Sequence, residues 1–484
     1  MLFNSVNFAL FLPIIFILYW FATNKSLKIQ NILLLAASYF FYACWDWRFL
    51  FLLLFSTLLD YFTGIKMAES KNQNIKKFWF WLSISVNLGF LSVFKYYNFF
   101  AISFTEAISN LGLHVNPWTL NVILPIGISF YTFHGLSYVI DIYKDRIKPE
   151  KNIIDYSLFV SFFPLLVAGP IERATHLLPQ IKKKRDFDYA YAVDGLKQIL
   201  WGLFKKIVIA DQCAEYVNII FNNNANYSGS TMVIGALFFT FQIYGDFSGY
   251  SDIAIGTARL FGIDLLQNFA FPYFSRDIAE FWRRWHISLS TWFRDYLYIP
   301  LGGSKGGTWM KVRNTLIIFI VSGFWHGANW TFIIWGLLNA LYIMPSILFK
   351  TNRNNLDTVS KGKYLPTLKE FISMTITFSL TVFAWIFFRS DSLKEAYRII
   401  SKIFSKSLFI KPEFDKDDFI KPTILLIILF IFIEWLGREQ QYAIQNTCLK
   451  YSKSARWLFY FTLTLIIYYF SVSIETQQFI YFQF

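Results

Sequence analysis

Apolar segments of about the length needed to cross a bilayer recur along this chain, separated by short polar stretches. They lie near residues 6–22, 30–44, 48–65, 78–94, 96–112, 119–141, 155–170, 190–210, 231–262, 315–349, 367–389, 422–437 and 455–473. A helix needs about 20 apolar residues to cross a hydrocarbon core ~30 Å thick, and some of these segments are shorter or interrupted. The pattern predicts an all-α polytopic membrane protein with about 11 transmembrane helices, the other segments being re-entrant or interfacial.

Composition and charge agree with a membrane setting. Hydrophobic residues make up 55% of the 484 residues and charged residues 16%, against about 25% charged residues in soluble domains. The net charge of +14 comes from short Lys and Arg clusters between apolar segments, which is typical of cytoplasmic loops. No nucleic-acid recognition motif accompanies this charge, so we expect the lipid bilayer as the surroundings and no nucleic-acid partner.

The chain shows no internal repeat, which argues against the duplicated architecture of many secondary transporters. We therefore predict a single membrane-embedded domain over residues 1–484. The motif-bearing core covers about 120–345, and less distinctive helices follow in 365–484.

One of only five histidines, His326, interrupts the apolar run 315–349 within the sequence GFWHGAN. Counted from Thr315, it lies about 17 Å along a helix, which predicts a position near the middle of the hydrocarbon layer. Glycines on both sides predict a helix break or a close helix approach. An imidazole at this depth is a candidate functional group, and a histidine that only hydrogen-bonds two helices together is the alternative.

A second histidine, His286, lies in residues 276–300, which carry several charges and place apolar residues at helical three/four spacing. This pattern predicts one amphipathic helix at the membrane interface. His286 falls at the margin of its apolar face. The helix serves either as an interfacial anchor or as one wall of an active-site channel.

Acidic residues also interrupt apolar segments. Asp246 and Asp252 lie in the segment 231–262, and His134 precedes Asp141 in another. Carboxylates at membrane depth generally face the protein interior and are paired. Arg259 and Arg276 are the candidate partners of the two aspartates, and both structural ion pairing and a cavity lining remain open. The spacing of His, Cys and carboxylate residues matches no metal-binding or cofactor motif, so we expect no metal and no cofactor.

Taken together, these motifs resemble the membrane-bound O-acyltransferase (MBOAT) family, and particularly its bacterial alginate and peptidoglycan O-acetyltransferase branch. The residues that carry the resemblance are 246–256 (DFSGYSDIAIG), 281–290 (FWRRWHISLS), 294–298 (RDYLY), 302–303 (GG), 323–328 (GFWHGA) and 167–173 (VAGPIER). It covers most of the first 350 residues. The resemblance implies a ring of helices around a thinned centre, in which a tunnel from the cytoplasmic side meets an outward-facing funnel.

The resemblance also implies roles for individual residues. His326 corresponds to the catalytic histidine of the family and is expected to act as general base, and His286 corresponds to its second polar position. Trp325 and Asn329 are expected to shape the site. Further tentative contacts for the acyl donor are Arg283, Arg284 and Asp252, although anchoring of cytoplasmic loops explains the two arginines equally well.

The function implied is transfer of an acetyl group from a cytoplasmic thioester, acetyl-CoA, across the bacterial cytoplasmic membrane to a cell-surface polysaccharide. The transfer is direct or passes through a periplasmic or surface acetyltransferase-type partner protein. One alternative is D-alanyl transfer from a carrier protein to teichoic acid. Another is a proton-coupled transporter or channel with His326 in the conduction path.

Overall fold

The computed structural model describes residues 1–113, 115–120, 123–166, 169–414, 420–446, 451–473 and 477–480. All regular structure in these residues is helical, which confirms the predicted all-α class. Two compact units are formed: an N-terminal unit (Met1–Ala192 with Thr257–Leu266) and a C-terminal unit (Val193–Gly256 with Gln267–Phe484). The predicted segments 119–141 and 155–170 include residues 121–122 and 167–168, which lie outside the described residues.

The first nine helices belong to the N-terminal unit. They are α1 (Val6–Ile17), α2 (Leu27–Asp46), α3 (Arg48–Glu69), α4 (Gln73–Leu91), α5 (Tyr97–Ser109), α6 (Ile128–Tyr143), α7 (Ile153–Ser161), α8 (Phe163–Leu166) and α9 (Ala174–Lys182).

The remaining helices lie mainly in the C-terminal unit. They are α10 (Tyr189–Leu203), α11 (Asp211–Asn222), α12 (Gly229–Leu260), α13 (Ile278–Arg284), α14 (Ile287–Phe293), α15 (Gly307–His326), α16 (Trp330–Leu348), α17 (Leu368–Arg389), α18 (Leu393–Ile403), α19 (Ile420–Gly437) and α20 (Lys453–Ser473). A π-helical turn, Phe204–Ala210, joins α10 to α11.

Helices long and apolar enough to cross a membrane occur in both units. Seven such spans lie in the described residues: α2, α3, Gln73–Ser109 (α4 with α5), α16, α17, α19 and most of α20. Large apolar side chains point outward from them, for example Phe51, Phe432 and Trp457, each more than half exposed. Outward apolar groups are expected where the solvent is lipid. The protein is a multi-pass membrane protein, and the larger number of about 11 crossings stays a prediction for its shorter or more polar helices.

Polar side chains are turned inward in the N-terminal unit. The Asp60 carboxylate of α3 accepts hydrogen bonds from Ser83 (2.6 Å) and Asn87 (2.8 Å) of α4. Gly135 of α6 leaves the space for this carboxylate, because a Cβ atom there would lie 2.0 Å from its Oδ2. Interhelical hydrogen bonds of this kind join helices where the hydrophobic effect gives little attraction.

The segment 276–300 differs from the prediction of one continuous interfacial helix, which is wrong. Helix α13 ends at Arg284, and α14 begins at Ile287 after a break at Trp285 and His286. His286 has φ 45° and ψ 54°, a left-handed conformation that no helix continues through. The break turns His286 into the buried interior, where 1% of it is exposed.

The predicted interruption of the apolar run 315–349 is confirmed, because α15 ends at His326 and α16 begins at Trp330. However, α15 begins at Gly307 and not near Thr315. His326 is therefore the last residue of a 20-residue helix, and its depth in the membrane stays a prediction.

Two glycines let α15 and α16 pack against each other. A Cβ atom on Gly323 would lie 2.3 Å from the carbonyl oxygen of Phe332, and one on Gly336 would lie 2.3 Å from that of Phe319. Backbone atoms cannot yield as a flexible side chain does, so each position requires a residue without a Cβ. This contact fixes the end of α15, and with it His326.

We expect Gly336→Ala to lower the stability of the protein by about 1–3 kcal/mol, because the added methyl group forces the two helices apart. Thermal unfolding of purified protein in detergent, followed by tryptophan fluorescence, measures the change. Gly89→Ala in α4 is the matched control, since a Cβ there meets no atom within 4 Å. Equal loss of stability in the two variants would contradict the close packing of α15 and α16.

Candidate active site

Three residues of the sequence 323–329 have a structural task around His326. Gly323 allows the helix contact, and Gly327 leaves room for the Phe332 ring, which a Cβ would meet at 2.1 Å. The Asn329 side chain then caps α16 by accepting a hydrogen bond from the Thr331 amide at 3.0 Å. The chain thus ends one helix at His326 and starts the next within four residues.

His286 is fixed by the backbone on both sides of the helix break. The Ile287 amide donates to the carbonyl oxygen of Asn268 (2.9 Å), and the Ala270 amide donates to that of Arg284 (3.0 Å). The Asn268 side chain, fully buried, also accepts from the Ser288 hydroxyl at 2.6 Å. These bonds hold the left-handed residue in one orientation.

The structure brings the two predicted histidines together, and we call His286 and His326 the histidine pair. Their ring centroids are 6.3 Å apart. The Trp325 ring lies 6.1 Å from His286 and 4.9 Å from His326, so it is in contact with both. Three residues separated by up to 40 positions therefore converge on one place.

Aromatic side chains surround the histidine pair. The Phe247 ring is 4.6 Å from His286, and the rings of Trp335 and Phe388 are 5.1 Å and 5.4 Å from His326. Only 4% of His326 is exposed. Because charge is costly to bury, this enclosure favours uncharged imidazoles, and a neutral imidazole is able to accept a proton.

Asp252 and Asp246 are paired, but the predicted partners Arg259 and Arg276 are wrong. Asp252 is in ion-pair contact with Lys205 and accepts a hydrogen bond from Gln198 at 2.8 Å. Asp246 lies 2.7 Å from Lys206, which also pairs with Asp211.

The two lysines stand side by side in the π-helical turn Phe204–Ala210, and both are buried. They lie inside the apolar segment 190–210, and two adjacent lysines there are the signal that was missed. Asn268 was missed as well. Its signal is a pair of adjacent polar amides, Gln267 and Asn268, between apolar residues shortly after α12.

The two arginines that were predicted to contact the acyl donor bind other groups of the protein. Arg283 donates to the carbonyl oxygens of Asn352 (2.9 Å) and Asn355 (2.7 Å), and Arg284 pairs with Glu280 at 2.9 Å. These bonds anchor the loop after α16. The contribution of Arg283, Arg284, Asp252 and Asn329 to donor binding stays a prediction.

His134 and Asp141 each bind a different protein group. The His134 ring accepts a hydrogen bond from the Glu172 amide at 3.1 Å, and Asp141 pairs with Arg146 at 3.0 Å. The buried Glu172 carboxylate binds the Leu266 amide (2.7 Å) and His176 (2.8 Å). This bond raises the pKa of His176. The sequence 167–173, whose first two residues lie outside the described residues, thus contributes a structural network to the N-terminal unit.

A family model described as "MBOAT, membrane-bound O-acyltransferase family" matches residues 146–388. This range is half of the chain and contains both members of the histidine pair. The chain belongs to the membrane-bound O-acyltransferase family. The predicted resemblance is confirmed, and the protein is an acyltransferase.

Several curated members of the family are similar to this acyltransferase over most of its length. The probable alginate O-acetylase AlgI of Pseudomonas aeruginosa is 38% identical over 442 residues, 91% of this chain and 82% of its own. The peptidoglycan O-acetyltransferase of Helicobacter pylori is 36% identical, covering 83% of this chain and 79% of its own. The teichoic acid D-alanyltransferase of Bacillus subtilis is 29% identical over 55% of this chain and 69% of its own.

At position 286 we expect the glycine variant of this acyltransferase to be more stable than the alanine variant by about 1–2 kcal/mol, since only glycine adopts the left-handed conformation without steric cost. Thermal unfolding of the His286→Gly and His286→Ala proteins measures the difference. The matched control is His326, which is helical, so there alanine is expected to be better than glycine by about 0.5–1 kcal/mol. The same ranking at both positions would show that His286 is not strained.

The buried Lys205–Asp252 pair is expected to behave as one unit. Lys205→Met or Asp252→Asn alone should cost about 3–5 kcal/mol, because each leaves one charge buried without its counter-charge. A double-mutant cycle from unfolding measurements should give a coupling energy of about 1–3 kcal/mol. In the exposed pair Lys66–Glu69, the same cycle should give about 0.2–1 kcal/mol. Additive effects at Lys205 and Asp252 would argue against the ion pair.

Proposed function

We propose that this acyltransferase moves an acetyl group from acetyl-CoA on the cytoplasmic side of a bacterial inner membrane to a hydroxyl group of a cell-surface polysaccharide. The polysaccharide is acetylated directly or through a periplasmic or surface acetyltransferase partner. The observation that carries the proposal is the histidine pair, two imidazoles 6.3 Å apart at the ends of separate helices in an aromatic enclosure. The names of the alginate and peptidoglycan relatives support the acceptor class.

In the proposed reaction, His326 acts as general base. Its neutral imidazole takes the proton of the acceptor hydroxyl while the hydroxyl oxygen attacks the thioester carbonyl carbon. The tetrahedral intermediate then collapses, the carbon–sulfur bond breaks, and the leaving thiolate receives the proton from the His326 imidazolium, which returns to its neutral form. The transferred acetyl group ends as an ester on the acceptor.

His286 is assigned the second role. With its ring 6.3 Å from that of His326, it is within reach of the other side of a small reacting group placed between them. An imidazole N–H there would donate a hydrogen bond to the developing oxyanion, a type of contact worth about 10²–10³-fold in rate. Trp325, in contact with both rings, sets their spacing.

In the proposed reaction, the aromatic side chains around His326 control the access of reactants. Only 4% of His326 is exposed, and the rings of Trp325, Trp335 and Phe388 lie around it. This enclosure excludes water from the thioester, which limits wasteful hydrolysis.

The comparisons favour an acetyl group over a D-alanyl group. The two O-acetylating relatives are similar over more than four fifths of this chain, whereas the D-alanyltransferase relative covers about half. The family assignment likewise favours acyl transfer over the transporter or channel alternative.

We expect His326→Gln to fold and to lose about 10²–10⁴-fold of the acetyl-transfer rate, because glutamine keeps a polar group but removes the base. Purified protein in proteoliposomes, given [¹⁴C]acetyl-CoA and a polysaccharide acceptor, measures ester formation. His176→Gln is the control, since it changes a half-exposed histidine of the N-terminal unit and should keep the rate.

The same assay separates the alternatives. Wild-type rates in the His326→Gln protein, with an unchanged melting temperature, would remove the general-base assignment. Transfer from a D-alanyl carrier protein and none from acetyl-CoA would identify the D-alanyl alternative. Flux driven by a proton gradient without thioester cleavage would identify a transporter.

A further inference from the structure

A second feature of the C-terminal unit is an apolar cavity of about 720 Å³ between α17 and α19. Its walls are mainly aromatic and aliphatic side chains, including Phe241, Phe274, Met374, Phe378, Ile428 and Trp435. Both helices are long and apolar enough to span a membrane. Ile428 and Phe432, on the outer side of α19, are more than half exposed. A cavity bounded by such helices is filled from the hydrocarbon layer and not from water.

A polar cavity of about 600 Å³ adjoins the first one at the start of α17. The two share this turn of helix, since Phe371, Met374 and Thr375 line the apolar cavity whereas Glu370 and Ser373 line the polar one. Three lysines also line the polar cavity: Lys361, Lys363 and Lys369. An apolar chamber and a basic chamber therefore meet along one edge.

The lysine-bearing loop is held in place by the C-terminal end of α19. The Arg438 guanidinium donates to the carbonyl oxygens of Val359 (3.0 Å) and Ser360 (2.8 Å), and also to that of Lys363. The Trp435 indole, which lines the apolar cavity, donates to the Tyr364 carbonyl at 2.7 Å. The backbone bonds thus use the loop's carbonyl groups and leave its lysine side chains exposed.

The acidic groups of the polar cavity already have protein partners. Asp357 pairs with Arg276 at 2.8 Å, and the Glu370 carboxylate accepts from the Thr367 and Ser360 backbone amides. Among the described residues, no carboxylate lies within ion-pair distance of the three lysines. Three positive charges at this edge therefore remain available to an anion.

We propose that the two cavities together form a binding site for an anionic phospholipid. One acyl tail occupies the apolar cavity between α17 and α19, and the phosphate headgroup lies against Lys361, Lys363 and Lys369. A basic pocket beside spanning helices has the charge and the polarity gradient that such a lipid requires. A soluble anion lacks the tail, and a zwitterionic lipid lacks the net charge.

Lipid binding to the full-length protein in detergent, measured by native mass spectrometry, tests the proposal. The probes are dioleoyl phosphatidylglycerol, dioleoyl phosphatidylcholine, and glycerol 3-phosphate as a headgroup without tails. We expect phosphatidylglycerol to bind about tenfold more tightly than phosphatidylcholine, because three lysines act on its net charge. Glycerol 3-phosphate should not bind at the same concentration.

Two variants separate the two halves of the site. The triple change Lys361→Gln, Lys363→Gln and Lys369→Gln should abolish the preference for phosphatidylglycerol and leave phosphatidylcholine binding unchanged. Thr375→Trp, which adds bulk at the wall of the apolar cavity, should weaken the binding of both lipids.

The charge-matched control is the triple change Lys25→Gln, Lys28→Gln and Lys71→Gln, which removes three exposed lysines of the N-terminal unit. It should keep the preference. Equal binding of the two lipids by wild-type protein would overturn the proposal, as would a preserved preference in the Lys361, Lys363 and Lys369 variant. Glycerol 3-phosphate binding as tightly as the lipid would also overturn it, by showing an anion site that needs no tail.

Discussion

A helix that ends inside an apolar interior leaves backbone N–H and C=O groups that need partners, and the candidate site depends on how this need is met. His326 is the last residue of α15, and His286 stands in the break between α13 and α14. Asn329 caps the start of the following helix α16 by accepting from the Thr331 amide, and the Asn268 carbonyl oxygen accepts from the Ile287 amide beside the second break. These bonds give backbone groups next to both histidines a partner inside the protein.

The same constraint explains which parts of the structure the sequence reveals. The helix break before Trp330 was predictable, because glycine and asparagine at 323–329 are local signals of a helix end. The break at His286 was not, since residues 276–300 keep a helical spacing of apolar residues through it. The bonds that stabilise the left-handed residue come from Asn268, eighteen positions earlier. Periodicity describes a segment by itself, and it cannot include a hydrogen bond from another segment.

The buried charges of the C-terminal unit show a second limit of prediction from sequence. That Asp246 and Asp252 must be paired follows from the cost of a buried carboxylate. Which cations pair with them does not follow, because the choice depends on how α12 packs against the turn Phe204–Ala210. The two backbones are close there, since a Cβ atom on Gly249 would lie 3.1 Å from the Lys206 amide nitrogen. Lys205 and Lys206 were hidden in an apolar segment of the sequence, and only the tertiary structure makes them the partners.

The buried ion pairs and the histidine pair share one property, because both are polar groups held in fixed positions inside the protein. An interior that already holds Lys205, Lys206 and their carboxylates in fixed ion pairs has dipoles set before any reactant arrives. Such preorganised polar groups lose less free energy to reorientation than water would, which is the advantage that a catalytic interior has over solution. The aromatic rings around His326 add dryness, so a hydrogen bond to the reacting oxygen is stronger there. In the proposed reaction, the exclusion of water around the histidine pair therefore adds to its reactivity.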